Sequence, residues 1–403
     1  MQQTRREFTK SVIAAGVAAG AAMSLPGILS SARADDSRRA GAAKKRKVLF
    51  LGGTGFIGPH IVQSLLRDGH EVTLFNRGNR DELFPDLEHI TGNRITSIEP
   101  GLEPLKKAVA DGRRWDTAID TSNVHKWVQD SGAVLRDAVD QYVYTSSMSV
   151  YADNSIINQD EDGELVQMPD EVADSIDRLP YDMNYFGAVK ARSELAAREV
   201  FGDRALIVRP GLIVGPRDWS HRFTYWPWRV RISGEVLAPG NPDDRVMFID
   251  ARDLADFLAL NIAKGTGGTF NLNGPSHDTL TIGRMLDTCN EALDANASFT
   301  WVDAEFLSQR GVQAWAHMPV WIPPVDGHQG FHTRSIDRAR NAGLKTRPLA
   351  ETVRDTMAWF DQEFLPEAEK RGQHFLPGEN APGISLARER VMLTEWRKRE
   401  SSE

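Results

Sequence analysis

Short continuous apolar runs alternate with amphipathic stretches along most of this chain. Lys47 to Gly53 is an apolar run ending in glycines, Phe56 to Asp68 has helical periodicity, and Glu71 to Arg77 is apolar again. The pattern predicts β-α-β within about 30 residues. Further buried strands are predicted at Trp115–Ser122, Gln141–Ser147 and Ala205–Val214, with helices near Leu102–Asp111, Lys126–Val139 and Asn184–Val200. Continuous apolar strands between helices call for a parallel sheet covered on both faces, so the fold class is α/β, a doubly wound Rossmann sheet. After Pro216 the pattern loosens into aromatic- and proline-rich loops. Strands near Val246–Ile249 and Thr269–Leu272 and helices near Arg252–Ala263 and Ile282–Leu293 suit a smaller C-terminal substrate lobe.

The expected organisation is a leader over 1–34, a disordered tether over 35–46, a dinucleotide-binding domain over 47–216, an interleaved lobe over 217–360 and a charged helical extension over 361–403. Arg5 and Arg6, the Ala/Gly-rich run from Ser11 to Leu25 and the small-residue site Ala32-Arg33-Ala34 read as a twin-arginine export signal. Its apolar run is too short to span a bilayer, which takes roughly 20 residues. That route carries folded proteins, so a tightly held cofactor, the twin-arginine translocase as a transient partner and a periplasmic destination are expected. Lys+Arg 48 against Asp+Glu 56 gives a formal charge of −8, which offers no overall attraction for nucleic acid. A single cysteine, Cys289, excludes a disulfide framework and any multi-thiolate metal site. No metal is expected, and His328 and His332 read as a loop pair.

GGTGFIG, Gly52 to Gly58, follows the first strand and opens the first helix. Gly52, Gly55 and Gly58, with Thr54, Phe56 and Ile57 between them, give the tight turn, the close backbone approach and the free helix-start N–H groups that a pyrophosphate needs. Where an NAD site usually has a carboxylate after the second strand, FNRGNR offers Asn76, Arg77 and Arg80. An arginine suits a 2′-phosphate, so the cofactor is NADP or NAD, with NADP favoured.

GGTGFIG, YVYTSSMSVY, RPGLIVGP, FIDARDLA and the closing RSIDRARNAGLKTRPLAETVRDTMAWF recur in this order, and together they resemble the extended short-chain dehydrogenase/reductases, the NAD-dependent epimerase/dehydratases. The FNRG stretch is similar to a nucleoside-diphosphate-sugar epimerase-like subgroup. The resemblance implies hydride transfer to or from a sugar or sugar-nucleotide-like substrate, and a homodimer is consistent with it. It places Ser147 at the serine that holds the reacting oxygen, Lys190 at the lysine that binds the nicotinamide ribose, and Pro210 among the cofactor contacts. The family tyrosine stands four residues before the lysine, where a helix brings the two heads together. Here that position is Phe186. Tyr185 lies five residues before Lys190, about 140° around an ideal helix. Either Phe186 fills the slot and Tyr185 points elsewhere, or a shifted Tyr185, or Tyr181 from the preceding loop, serves as acid/base. A cofactor-binding protein without turnover stays open.

Arg222, Tyr225 and Trp226 of RFTYWPWRV are substrate-lobe candidates, with lobe core as the competing reading, and Arg245 stands near the position of a family substrate arginine. The acidic run from Asn158 to Asp177 reads as a solvated loop at the edge of the site.

Overall fold

The computed structural model describes residues 44–275 and 278–402, so the leader and nearly all of the expected tether lie outside the described residues. Seven strands form one parallel sheet: β1 Lys47–Leu51, β2 Glu71–Asn76, β3 Glu88–Thr91, β4 Trp115–Asp120, β5 Val139–Thr145, β6 Ala205–Pro210 and β10 Gly268–Leu272. Their spatial order is β10-β6-β5-β4-β1-β2-β3. Two short parallel pairs accompany it, β7 Leu212–Val214 with β9 Phe248–Asp250, and β8 Gly234–Pro239 with β11 Ala297–Val302. The helices, in chain order, are α1 Gly58–Arg67, α2 Glu103–Ala110, α3 His125–Leu135, α4 Asp170–Ser175, α5 Phe186–Phe201, α6 Tyr225–Arg231, α7 Ala251–Lys264, α8 Ile282–Ala292, α9 Ala304–Gln309, α10 Asp337–Asn341, α11 Leu349–Trp359, α12 Leu365–Lys370 and α13 Leu386–Glu400.

Alternation within the buried strands builds the two faces. Val48 and Phe50 of β1 pack with Ile61 and Leu65 of α1 and Leu258 and Ile262 of α7. Leu49 and Leu51 face the other way, toward Leu105 of α2, Val128 of α3 and Ala197 of α5. Since β1 pairs with β2 on one side and β4 on the other, the chain reverses its winding there. The crevice beyond the carboxyl ends of such strands is where ligands bind in this architecture.

Several strands depart from the sequence reading, which did not include β8 or β11. β3 pairs with β2 although only four residues long and half exposed. The Ala205–Val214 run breaks after Pro210, its last residues pairing with β9 instead of β5. Thr269–Leu272, expected in the lobe, is the edge of the main sheet beside β6.

The lobe has its own core, in which Phe223, Tyr225 and Trp226 meet Leu286, Val302, Phe306, Val353, Ile384 and Leu393. A buried ion pair fastens α13 to it, with Arg229 Nε 2.7 Å from Glu389 Oε2. The other oxygen of Glu389 accepts the Leu237 N–H of β8 at 3.0 Å.

Candidate functional site

The glycine turn is shaped by backbone needs. Gly52 and Gly53 hold φ of +124° and +90°, values that side chains rarely tolerate. At Gly58 a Cβ would lie 2.4 Å from the Gly53 carbonyl carbon, so α1 can start against the turn only without a side chain. A Cβ at Gly55 would meet nothing within 4 Å, which leaves that side of the turn open. Ile57 gives no side-chain cap to α1, so the helix start keeps N–H groups for an anion.

Along the carboxyl ends of the sheet strands lie buried polar atoms without hydrogen-bond partners: Asn76 Nδ2 at the end of β2, Ser122 Oγ after β4, Thr145 Oγ1 and Ser146 Oγ at the end of β5, and, at the far edge, Asn273 Oδ1 after β10. Each such atom costs about 1–3 kcal/mol unless something pairs with it. Five at the carboxyl ends of four strands fit a long polar ligand laid across the sheet edge, as a nicotinamide dinucleotide would be. Asn76 Oδ1 accepts the Gly78 N–H at 2.8 Å, Arg80 Nη1 donates to the Thr54 carbonyl at 3.2 Å, and Arg77 is exposed.

At the other end of the row, Ser147 follows β5 and caps the short turn Met148–Val150, its Oγ accepting the Ser149 N–H at 3.1 Å. A Cβ at Gly187 would come within 2.1 Å of the Ser149 carbonyl oxygen, so the first turn of α5 presses directly on the turn that carries Ser147. Lys190, one turn further along α5, donates from Nζ to the Ser122 carbonyl at 2.8 Å and the Thr145 carbonyl at 2.7 Å. It lies over the Tyr144 ring, 4.9 Å from the centroid. Burial pulls its pKa from 10.5 down to about 7, against the opposing charges of Asp120 and Glu194.

Phe186 is the first residue of regular α5, which seats it on the Lys190 face. Tyr185 precedes the helix in a tight turn, Met183–Tyr185, and packs with Tyr181 against Val124, Met168, Ile176 and Val189. The Tyr181 hydroxyl is buried without a partner.

The model of the NAD dependent epimerase/dehydratase family matches residues 48–273, more than half of the chain. This chain belongs to that family. Among curated relatives, the chloroplast stem-loop binding protein of 41 kDa b of Arabidopsis thaliana is 24% identical over 254 residues, 59% of this chain and 61% of that protein. UDP-glucose 4-epimerase of Neisseria meningitidis serogroup C is 29% identical over 143 residues, 29% of this chain and 41% of the enzyme. The chain thus spans less than two thirds of either relative. Among solved structures, the Bordetella bronchiseptica enzyme WbmG in complex with NAD and UDP superposes with a TM-score of 0.56 at 15% identity, over 79% of this chain and 96% of WbmG. Human epimerase family protein SDR39U1 with NADPH gives 0.50 at 19% identity, over 77% and 99%. These likenesses establish the epimerase fold.

In this member of the epimerase/dehydratase family several candidates sit elsewhere than expected. Tyr225 and Trp226 are 1% and 0% exposed, their rings consumed by the lobe core, and Trp226 Nε1 donates to the Pro319 carbonyl at 2.6 Å. They are packing residues, as the competing reading had it, and offer no face to a substrate. Arg222 is partly buried, with its guanidinium over the Trp315 ring at 5.4 Å and its Nε on Ser220 Oγ at 3.1 Å. Arg245 Nε donates to the Leu280 carbonyl at 3.1 Å. Pro210 ends β6, paired with Leu272.

The acidic segment keeps most of its carboxylates in solvent, with Asp160, Asp162, Glu164, Asp170, Glu171 and Asp174 exposed, and is anchored through Glu161. Glu161 is buried and accepts the Asn271 N–H at 2.8 Å, while its carbonyl takes Arg209 Nη1 at 2.9 Å. Asp162 pairs with Arg338 at 2.5 Å. Arg209 is itself held by Glu194 of α5 at 2.6 Å, so the segment is tied to the helix that carries Lys190. Among the described residues no three His, Cys, Asp or Glu side chains gather as a metal site would require.

The sequence reading missed Ser122, Thr145, Gly187 and Asn273. A small residue directly after the tyrosine slot was the available signal for Gly187; the other three become visible only once the strands are ordered.

Proposed function

We propose that this chain is an exported nicotinamide-dependent enzyme that acts on a sugar or sugar-derived carbonyl, with NADP preferred over NAD. The observation that carries it is the row of unpartnered polar atoms running from Asn76 beside the glycine turn to Ser146, next to Ser147 and Lys190. When bound, the dinucleotide supplies or accepts a hydride. The glycine turn holds its phosphates, Asn76 and Arg77 meet the adenosine ribose, and Lys190 Nζ, anchored on two strand-end carbonyls, meets the nicotinamide ribose. Ser147 orients the substrate oxygen. Phe186 cannot exchange a proton, so that oxygen is protonated by another group. The sugar class is supported by the UDP-glucose 4-epimerase relative and by the UDP named with WbmG.

Export through the twin-arginine translocase to the periplasm, as a homodimer already loaded with cofactor, belongs to the same proposal. It is supported by Arg5-Arg6 and Ala32-Arg33-Ala34. Fractionation of an Arg5→Lys/Arg6→Lys variant tests the route, with retention in the cytoplasm expected and unchanged export contradicting it.

A second reading, a cofactor-binding protein without turnover, is favoured by Phe186. Incubating the full chain with NADPH and with NADP against a panel of keto-sugars and sugar nucleotides separates the two. Loss or gain of nicotinamide absorbance supports the enzyme, and binding without any absorbance change supports the second reading.

A further inference from the structure

β4 ends in a carboxylate that the site described above does not use. Asp120 closes the apolar run Ala118-Ile119 and is fully buried, so its charge must be matched within the protein. Each oxygen of the carboxylate accepts two hydrogen bonds. Arg94, from the loop after β3, donates Nη1 to Oδ1 at 3.2 Å and Nη2 to Oδ2 at 2.6 Å. The Tyr142 hydroxyl of β5 donates to Oδ2 at 2.6 Å, and the Ser122 N–H donates to Oδ1 at 2.8 Å. Against burial, which would raise it, these partners hold the Asp120 carboxyl below its usual range. Arg94 is fixed in turn on α3, by Ser131 Oγ at 3.2 Å and by the Trp127 ring at 5.9 Å.

A buried ion pair adds little net stability, and apolar side chains of the same volume often serve as well. What this pair fixes is the turn after β4. The bond from the Ser122 N–H to Asp120 Oδ1 closes that turn, and the Ser122 carbonyl it presents accepts both Lys190 Nζ at 2.8 Å and the Tyr144 hydroxyl at 3.1 Å. The second Lys190 acceptor, the Thr145 carbonyl, is uncharged as well. Among the described residues no carboxylate lies within ion-pair distance of Lys190. The carboxylates that face it are Asp120 from β4 and Glu194 from the next turn of α5, and each is already neutralised, by Arg94 and by Arg209. Tyr142 and Tyr144 of β5 keep their protons, since burial pushes both hydroxyls well above their usual range.

We propose that the Arg94–Asp120 pair is the positioning element for Lys190: it holds the Ser122 carbonyl under the ammonium and keeps Asp120 from drawing the ammonium away from the nicotinamide ribose. Arg94 thereby acts on α5 through β4. The proposal rests on the reading of Lys190 as the ribose contact, and it names what sets the place and the charge of that group.

The two charges of the pair act on Lys190 with opposite signs, which separates positioning from a merely structural role. Asp120→Asn still accepts the Ser122 N–H but leaves Arg94 a bare cation, which disfavours the ammonium. Arg94→Met leaves Asp120 a bare anion, held ionised by Tyr142 and Ser122, which favours it. The full chain labelled with ¹³C-lysine is titrated by NMR, the Lys190 signal being identified by its loss in Lys190→Arg. The Lys190 midpoint is expected to fall by about one pH unit in Asp120→Asn, to rise by about as much in Arg94→Met, and to return close to wild type in the double variant. Where one single variant fails to fold, the other and the uncharged double variant give the same comparison. Shifts of the same sign in both, or no shift in a folded single variant, would make the pair structural only and overturn the proposal. Calorimetric titration with NADP⁺ slightly above neutral pH is the second arm, with roughly fivefold weaker binding expected for Asp120→Asn. A midpoint that moves as expected while NADP⁺ affinity does not follow would leave the pair's hold on Lys190 standing and bring down the ribose contact.

Discussion

Phe186 stands one helical turn before Lys190 on the same face of α5, and the Lys190 ammonium is fixed between the Ser122 and Thr145 carbonyls at 2.8 and 2.7 Å. Lys190 is thus anchored on two strand-end carbonyls, and the position one turn before it carries a ring with no exchangeable proton. The lowered pKa of Lys190 makes this anchoring sensitive to pH near neutrality, where the ammonium begins to lose its proton.

Placing a phenol there is the first prediction. Phe186→Tyr is expected to raise hydride transfer to a sugar carbonyl by roughly 10²-fold or more, the lower end of what general acid–base catalysis contributes. Tyr185→Phe is expected to leave the rate within about twofold, because Tyr185 packs against Val124 and Val189 away from that face. Steady-state rates with NADPH check both, and a large loss in Tyr185→Phe would show that Tyr185 handles the proton.

The contact between α5 and the Ser147 turn supports the second. Gly187→Ala would drive a methyl group to 2.1 Å from the Ser149 carbonyl oxygen, and both neighbours are backbone. A destabilisation of about 1–3 kcal/mol is expected, together with a displaced Ser147. Urea unfolding measures it, and an unchanged midpoint would mean that the two turns are not pressed together.

Much of this framework was legible because β1, β2, β4 and β5 are continuous apolar runs and Gly52 to Gly58 sits directly after the first of them. β3 was not, since Glu88-His89-Ile90-Thr91 is too short and polar to stand out, and is a strand only because β2 offers it an edge. Thr269–Leu272 reads as an apolar strand in sequence, but only pairing with β6 shows which sheet it joins. Tyr225 and Trp226 show the limit for site residues. Aromatic side chains suit a sugar and a core equally well, and only their burial decides between them. Ser122, Thr145 and Asn273 are ordinary polar residues until three strand ends bring them to one edge.

The C-terminal extension gives a third prediction. Arg229 and Glu389 form an ion pair with side chains 6% and 3% exposed, so Glu389→Ala leaves a buried guanidinium uncompensated. That is expected to cost about 3–5 kcal/mol in denaturant unfolding, whereas an Arg229→Met/Glu389→Leu double variant is expected to recover most of it. A small loss in the single variant would mean that α13 is only loosely seated.

Acid sensitivity is the fourth. Burial lowers the pKa of His60 and His125 to about 4 and of His221 to about 3, from 6.5. Between those values the unfolded chain binds protons that the folded chain does not, so stability falls as the pH drops from about 6.5 toward 4. For His221, packed against Trp359, Phe360, Phe364 and Phe375, the loss from pH 7 to 4.5 is expected to be on the order of 2 kcal/mol. His221→Asn should flatten that part of the stability–pH curve, and an unchanged slope would show that His221 does not titrate on unfolding.

A nicotinamide dinucleotide laid across the strand ends from Asn76 to Lys190 is detected by native mass spectrometry of the full chain, expressed in an exporting bacterium and purified without added cofactor. The expected spectrum shows one NADP(H) retained on each copy of a chain that begins after Ala34. A chain that carries no nucleotide as isolated, and takes up neither NADP nor NAD when each is supplied in excess, would show that no dinucleotide binds there.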